Sequence, residues 1–403
     1  MLKVTKLSAT VLIFYILFYL QIWGDNHAIL YGSAIVTVLS LAVHCFYTGY
    51  ANLSNVPYGV WNNLLMVGYA LLIGYFVSYD YSTTIGSSIT LAAYSIVSIA
   101  ICYVSAEEGS FDWVLIVLTT LAILCSAYAL VRGVVWEGYG RTLSYTNNPH
   151  VFAAVMNLGI FSVIYRTRDK EKKYSLVSIA LVVLFIFSTF ESGSRKYLIA
   201  SLCIILIWII ALLRELWTSG DAQKRLICAI VSLLIVAALI YAYRRVFTRS
   251  FVYVRLGDLD DLGNQHRLRN YRKAWEIFLE HPVLGAGYDQ FRYLSGAGGY
   301  AHSTYAEAIA DFGIVGCVMY FTPIAYTSFM IIKQAFTLER DYGSWLLAAL
   351  CISELFIGAG QIFFMEFHHF PAWAILFYYS RKNNEAIEYN DNVPSSKYIK
   401  NAF

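Results

Sequence analysis

The sequence predicts an all-α fold, a polytopic membrane bundle of about twelve transmembrane helices with one long loop on its outer face. Three observations carry that expectation. The 403 residues are 59% hydrophobic and only 14% charged, and mean hydropathy is +0.57, whereas soluble domains carry about 25% charged residues. Apolar runs recur from one end of the chain to the other, with no fixed repeat period. Basic residues concentrate in the short breaks between runs, the pattern that orients membrane proteins. The formal net charge of +3 assigns no nucleic-acid partner.

Each run of roughly 20 mostly apolar residues is read as a span. The first, 8–23, follows Lys3 and Lys6 as a signal peptide would, but no small-residue cleavage site follows it, so a span is expected. Runs 28–47, 60–79, 84–105, 113–131 and 150–165 come next, then 175–190, 197–213, 226–243, 303–329, 343–358 and 363–379. Gly358-Ala359-Gly360 divides the last two as a break or a kink. The seven cysteines all lie in apolar runs without a CxxC pair and read as small hydrophobes.

Lys3 and Lys6 precede the first span, and Arg166, Arg168, Lys170, Lys172 and Lys173 follow the sixth. Arg214, Lys224 and Arg225 follow the eighth, Lys333 and Arg340 the tenth, Arg381 and Lys382 the twelfth. With twelve spans all of these fall on one side, which the charge bias makes cytoplasmic. The chain then reads as a single integral membrane domain, 1–403, with both termini inside, a tail at 381–403, and a long outer loop at 244–302.

That loop breaks the charge rule, with Arg244, Arg245, Arg249, Arg255, Arg267, Arg269, Arg272, Lys273 and Arg292 on the outer side. Long loops cross regardless of charge. The excess either balances Asp258, Asp260, Asp261 and the lipid surface, or supplies guanidinium forks that fit phosphate oxygens. Within the loop 267–280 has helical spacing. Leu268, Tyr271, Trp275, Phe278 and Leu279 share a face, which predicts an interfacial helix on the membrane or on the bundle. Pro282, Gly285 and Gly287 stop it. The loop ends in His302-Ser303-Thr304-Tyr305 at the lip of the next span. Arginines meeting a histidine at a membrane surface point to chemistry on an anionic substrate.

Four motifs in this order resemble those of bacterial O-antigen ligases and polymerases. They are Asn148-Pro149-His150, with histidine in place of the family's second asparagine; Ser192-Gly193-Ser194-Arg195-Lys196; the run Arg267, Tyr271, Ala274, Phe278, His281-Pro282, Gly285, Gly287; and His302-Ser303 followed by Gly313 and Gly316. The resemblance spans 140–325. It implies a GT-C-like membrane fold in the bacterial cytoplasmic membrane and transfer of a glycan from undecaprenyl diphosphate to an acceptor hydroxyl on the outer face. It implies catalytic roles for Arg195, Arg267 and His302, the arginines holding the leaving diphosphate and the histidine activating the acceptor. Arg269, Lys196, His150 and Tyr305 are expected to bind substrate. No cofactor or metal is expected. The partners implied are a lipid-linked oligosaccharide, membrane lipids and a chain-length regulator protein.

Each residue has a structural alternative. Arg195 fits an interfacial anchor, His302 a helix start with Ser303 or Thr304 as cap, Tyr305 an aromatic belt, and Gly313 and Gly316 close helix packing. Asp258-Leu259-Asp260-Asp261 reads as loop solvation rather than a metal site. Adjacent residues on a helix face different ways, so Glu366, His368 and His369 are expected to line the outer end of the last span rather than to bind zinc. Glu354 lies in an apolar span and is a functional candidate whose partner sequence cannot name. The Ser-Arg-Lys element and the abundant tyrosines favour a polymerase over a ligase. A secondary transporter is the alternative class; it calls for a midplane site, whereas transfer calls for an outer-face cavity joining Arg195, Arg267 and His302.

Overall fold

A computed structural model describes residues 27–48, 53–132, 135–136, 141–142, 148–167, 176–218, 222–223, 226, 262–296, 298–337 and 342–392. The expected span at 8–23, that at 226–243 beyond its first residue, four of the eight loop arginines (Arg244, Arg245, Arg249 and Arg255) and the Asp258–Asp261 run lie outside those residues. The described helices are α1 (His27–Thr48), α2 (Tyr58–Val77), α3 (Tyr81–Glu108), α4 (Asp112–Arg132), α5 (Pro149–Arg166), α6 (Leu176–Glu191) and α7 (Arg195–Thr218). They continue with α8 (Leu262–Glu280), α9 (Phe291–Leu294), α10 (Thr304–Thr337), α11 (Tyr342–Gly358) and α12 (His369–Asn392). A two-residue antiparallel ladder, Val135 opposite Thr142 and Trp136 opposite Arg141, forms the only strands among the described residues.

Among the described residues five helices are long and apolar enough to cross a membrane: Tyr58–Val77, Tyr81–Glu107, Asp112–Val131, Arg195–Arg214 and Thr304–Phe336. Shorter apolar helices include Leu176–Glu191 and Tyr342–Gly358. Large apolar side chains such as Leu72, Phe76, Val131, Leu176 and Val183 face outward. An apolar exterior of that extent is what a lipid environment selects. The fold is therefore a helical bundle suited to a membrane.

Local chemistry sets the helix ends. Asp80 caps α3, its carboxylate accepting from the Ser82 amide at 3.1 Å, and Gly109 in the left-handed region ends that helix. Asn148 caps α5 by accepting from the His150 amide at 2.8 Å, and Pro149 occupies the first turn, where its missing N–H costs nothing. The Asn-Pro-His motif is thus a helix start.

Helix α5 is the central post. Nearly every residue from Phe152 to Tyr165 is buried, so it is apolar all round, as a fully surrounded helix must be. It packs against α4, α6 and α7, and Asn157 donates to Ser201 of α7 at 2.9 Å. On the other side α2, α3, α10 and α12 pack together, and Phe312 and Tyr320 of α10 meet Tyr288 and Phe364 of the adjoining loops in successive ring pairs 5.2–5.7 Å apart.

One boundary and one packing face differ from the sequence reading. The last helix begins at His369, not near 363, because the chain turns through Phe363–His368 first. Helix α8 lies on the bundle, packed mainly against α10, but through a different face. Ala274 and Ile277 are buried beside Asn270, whereas Leu268, Trp275 and Leu279 are more than half exposed. Small Ala274 allows a close approach that the bulky stripe would prevent.

Candidate active site

The frame of the site is a loop locked into a broken helix. Helix α10 is interrupted at Gly313, whose φ of 60° and ψ of −164° are non-helical and open to glycine almost alone. The break exposes backbone groups, and the segment after α8 satisfies them. Ala286 and Gly287 amides donate to the Ala310 and Asp311 carbonyls at 2.9 and 3.0 Å, and Ile314 and Val315 amides donate to Pro282 and Val283 at 2.9 and 3.1 Å. The His-Pro-x-x-Gly-x-Gly and His-Ser…Gly motifs are therefore two halves of one joint. Gly316 fits the close-packing expectation, since a Cβ there would sit 2.8 Å from the Tyr69 ring; Gly313 makes a backbone joint instead.

Asp311 holds the next stretch. Its carboxylate accepts from the Asp289 and Phe291 amides at 2.8 and 3.1 Å. Asp289 pairs with Arg292, Nε to Oδ1 at 2.7 Å, and accepts from Ser87 of α3 at 2.5 Å. Arg292 is thus a scaffold cation.

A second loop, 359–368, closes the same end of the bundle. Thr304 fixes it to the start of α10: its amide and hydroxyl both donate to the Gln361 carbonyl, at 2.8 and 2.6 Å, and its oxygen accepts from the Phe363 amide at 3.0 Å. Tyr271 of α8 donates to the Ala359 carbonyl at 3.0 Å. Lys196, in the first turn of α7, donates to the Gly360 carbonyl at 2.6 Å and to the Gln361 side chain. Gln361 in turn donates to both oxygens of Glu366.

His302 sits where these pieces meet. It is one of two non-glycine residues with positive φ among those described, at 60°, and that turn releases Ser303 to cap α10, its Oγ accepting from the Ala306 amide at 3.4 Å. The His302 ring meets Tyr300 edge-on at 4.8 Å. Partial burial, then the positive charges of Arg267 and Lys196, push the imidazole below its ordinary pKa, while Glu366 pulls the other way. Residues from α7, α8, the start of α10 and the 359–368 loop thus share one electrostatic neighbourhood. It lies at the ends of the helices.

The remaining expected residues lie on α5, α7, α8 and α10. Arg195 opens α7 next to Lys196 and is half-buried. His150 contacts Ser194 of the Ser-Gly-Ser-Arg-Lys turn, Nδ1 to Oγ at 2.9 Å, so it ties α5 to the start of α7. Arg269 is exposed on α8. Tyr305 stacks on Phe321 at 5.6 Å and donates to the Leu355 carbonyl at 2.8 Å.

Residues 180–321 match the family model described as O-Antigen ligase. Over that segment the chain is similar to the O-antigen ligase family, in line with the order of its motifs. The match takes in Arg195, Lys196, Arg267, Arg269, His302, Tyr305 and both halves of the glycine joint, and leaves His150 outside. Members of the O-antigen ligase family are glycosyltransferase-like membrane enzymes that handle lipid-linked polysaccharide. No curated protein matches the chain.

Sequence reasoning missed Gln361 and misjudged its neighbours. Glu366, His368 and His369 do not diverge: their ligand atoms all lie within 4.8 Å of one another. The helical-face argument fails because Glu366 and His368 precede α12. The partner that sequence could not give Glu354 is His369, Nδ1 to Oε2 at 2.7 Å. A glutamate and two histidines inside an aromatic run were the available signal.

Proposed function

We propose that this chain polymerises a lipid-linked surface polysaccharide, of O-antigen or capsule type, at the outer face of a bacterial cytoplasmic membrane. The observation that carries the proposal is the convergence of Lys196, Arg267 and His302, far apart in sequence, at one end of the bundle. A transporter reading calls for ionisable residues at the midplane; these lie at helix ends.

The donor is a glycan on undecaprenyl diphosphate. Its anomeric C–O bond to the diphosphate breaks, and negative charge grows on the leaving oxygens. Arg267 and Arg195 stabilise that charge, with Arg269 at the solvent side and Lys196 beneath. Permanent cations need no reorganisation as the charge develops. The acceptor sugar hydroxyl attacks the anomeric carbon and gives its proton to His302. Burial, together with Arg267 and Lys196, depresses the His302 pKa and keeps the ring neutral and able to accept that proton near neutral pH. Tyr305 and His150 border the glycan side. The products are one new glycosidic bond and undecaprenyl diphosphate.

The ligase reading, transfer to a lipid A–core acceptor, is favoured by the description of the matched family. Deleting the chain in its host separates the two. A surface-glycan ladder collapsing to one repeat unit supports the polymerase. Loss of attached glycan with lipid-linked polymer retained supports the ligase. An unchanged ladder contradicts both.

A further inference from the structure

Beside the proposed transfer site lies a cluster that the mechanism does not use. Glu366 Oε2 is 3.2 Å from His368 Nε2 and 3.8 Å from His369 Nε2, and the two imidazole centroids are 4.2 Å apart. On its far side His369 places Nδ1 2.7 Å from the Glu354 carboxylate. When that nitrogen donates to the carboxylate, Nε2 of the neutral ring is left with a lone pair. His369 is 1% exposed and its Nε2 has no hydrogen-bond partner. A buried ring nitrogen without a partner therefore faces a carboxylate 3.8 Å away, an arrangement that buried polar groups normally avoid.

A cation held between that nitrogen and the carboxylate would supply the missing partner. Imidazole and carboxylate donors suit zinc and its neighbours. A ligating histidine regularly donates its other N–H to a carboxylate, which fixes the tautomer and aims the ring; Glu354 stands in that position. We propose that Glu366, His368 and His369 form a binding site for a divalent metal ion of the zinc class, with Glu354 orienting His369. Metal–ligand distances of about 2.1 Å require side-chain adjustments of about 1 Å from the present spacing. Tyr197, whose hydroxyl is 2.9 Å from His368 Nε2, would give up that hydrogen bond as the nitrogen takes up the ion. Three protein ligands leave a fourth position. Through Gln361, which bridges Glu366 and Lys196, the ion would fix the 359–368 loop; the transfer step itself is not routed through it.

The test uses the full-length protein purified in detergent with an affinity tag that contains no histidine. The protein is stripped with EDTA and titrated with zinc against a chromophoric chelator, and bound metal is counted by mass spectrometry. About one zinc per chain is expected, with at least a tenfold loss of affinity in Glu366→Gln and in His369→Gln. Arg267→Ala binds as the parent does. Cobalt loaded in place of zinc gives tetrahedral absorption bands that vanish in His369→Gln. Elution profiles of the stripped proteins serve as the fold control. Where a ligand variant fails to fold, Glu354→Gln, which keeps all three ligands, must still weaken zinc about tenfold. Substoichiometric zinc in the parent, or parent-like affinity in all the folded Glu366, His369 and Glu354 variants, overturns the assignment.

Discussion

Gly285 and Gly313 meet backbone to backbone: a Cβ on Gly313 would sit 2.4 Å from the Gly285 nitrogen, and one on Gly285 would sit 2.3 Å from the Asp311 carbonyl oxygen. Both also have positive φ, at 77° and 60°. No rotamer change relieves a clash with backbone. Gly285→Ala and Gly313→Ala should each cost at least about 1–2 kcal/mol from the left-handed conformation alone, and more from the clash. Gly299→Ala, where a Cβ meets nothing within 4 Å, should be neutral. Thermal unfolding in detergent checks all three; equal midpoints would refute the joint.

Asp311 accepts two amides with its two oxygens. Asp311→Asn puts an NH₂ where one carboxylate oxygen now meets an N–H. One buried donor loses its partner, which costs about 1–3 kcal/mol. The loop 285–291 should open first, visible as faster amide hydrogen exchange there than in α5. Unchanged protection would remove Asp311 from the scaffold.

The His302 pKa is displaced downward by burial, Arg267 and Lys196. A base works in its neutral form, so transfer should fall as pH drops through that lowered pKa. The acid limb of kcat/KM then lies below the ordinary histidine value of about 6.5. Arg267→Gln and Lys196→Met each remove a positive charge and should move the limb up. Lys273→Gln, an exposed partner of Glu276, should leave it in place. A limb that stays put in both Arg267→Gln and Lys196→Met separates His302 from those cations.

Much of this arrangement was legible in the sequence because its signals are local. Apolar run length gave the helices, and Asn148-Pro149 and Ser303 announced two helix starts. The ordered motifs named Arg267, Lys196 and His302 before any geometry. What remained hidden depends on chain segments returning to each other. Gly313 reads as an ordinary packing glycine until the His281–Gly287 loop is laid across it. Gln361 is one amide in a polar break until Thr304, Lys196 and Glu366 surround it. The face of α8 was misassigned because hydrophobicity marked Leu268, Trp275 and Leu279, while packing chose Ala274 and Ile277 for their fit. The histidine pair was misjudged by placing both rings on a helix that begins only at His369.

The most direct measurement is transfer by the purified protein from an undecaprenyl diphosphate-linked oligosaccharide, reading released undecaprenyl diphosphate and product length together. The account predicts one diphosphate lipid released per new glycosidic bond. It also predicts that Arg267→Ala and His302→Ala each lower kcat roughly a hundredfold or more at unchanged protein abundance. Both variants turning over at the parent rate, or product forming without release of the diphosphate lipid, would contradict it.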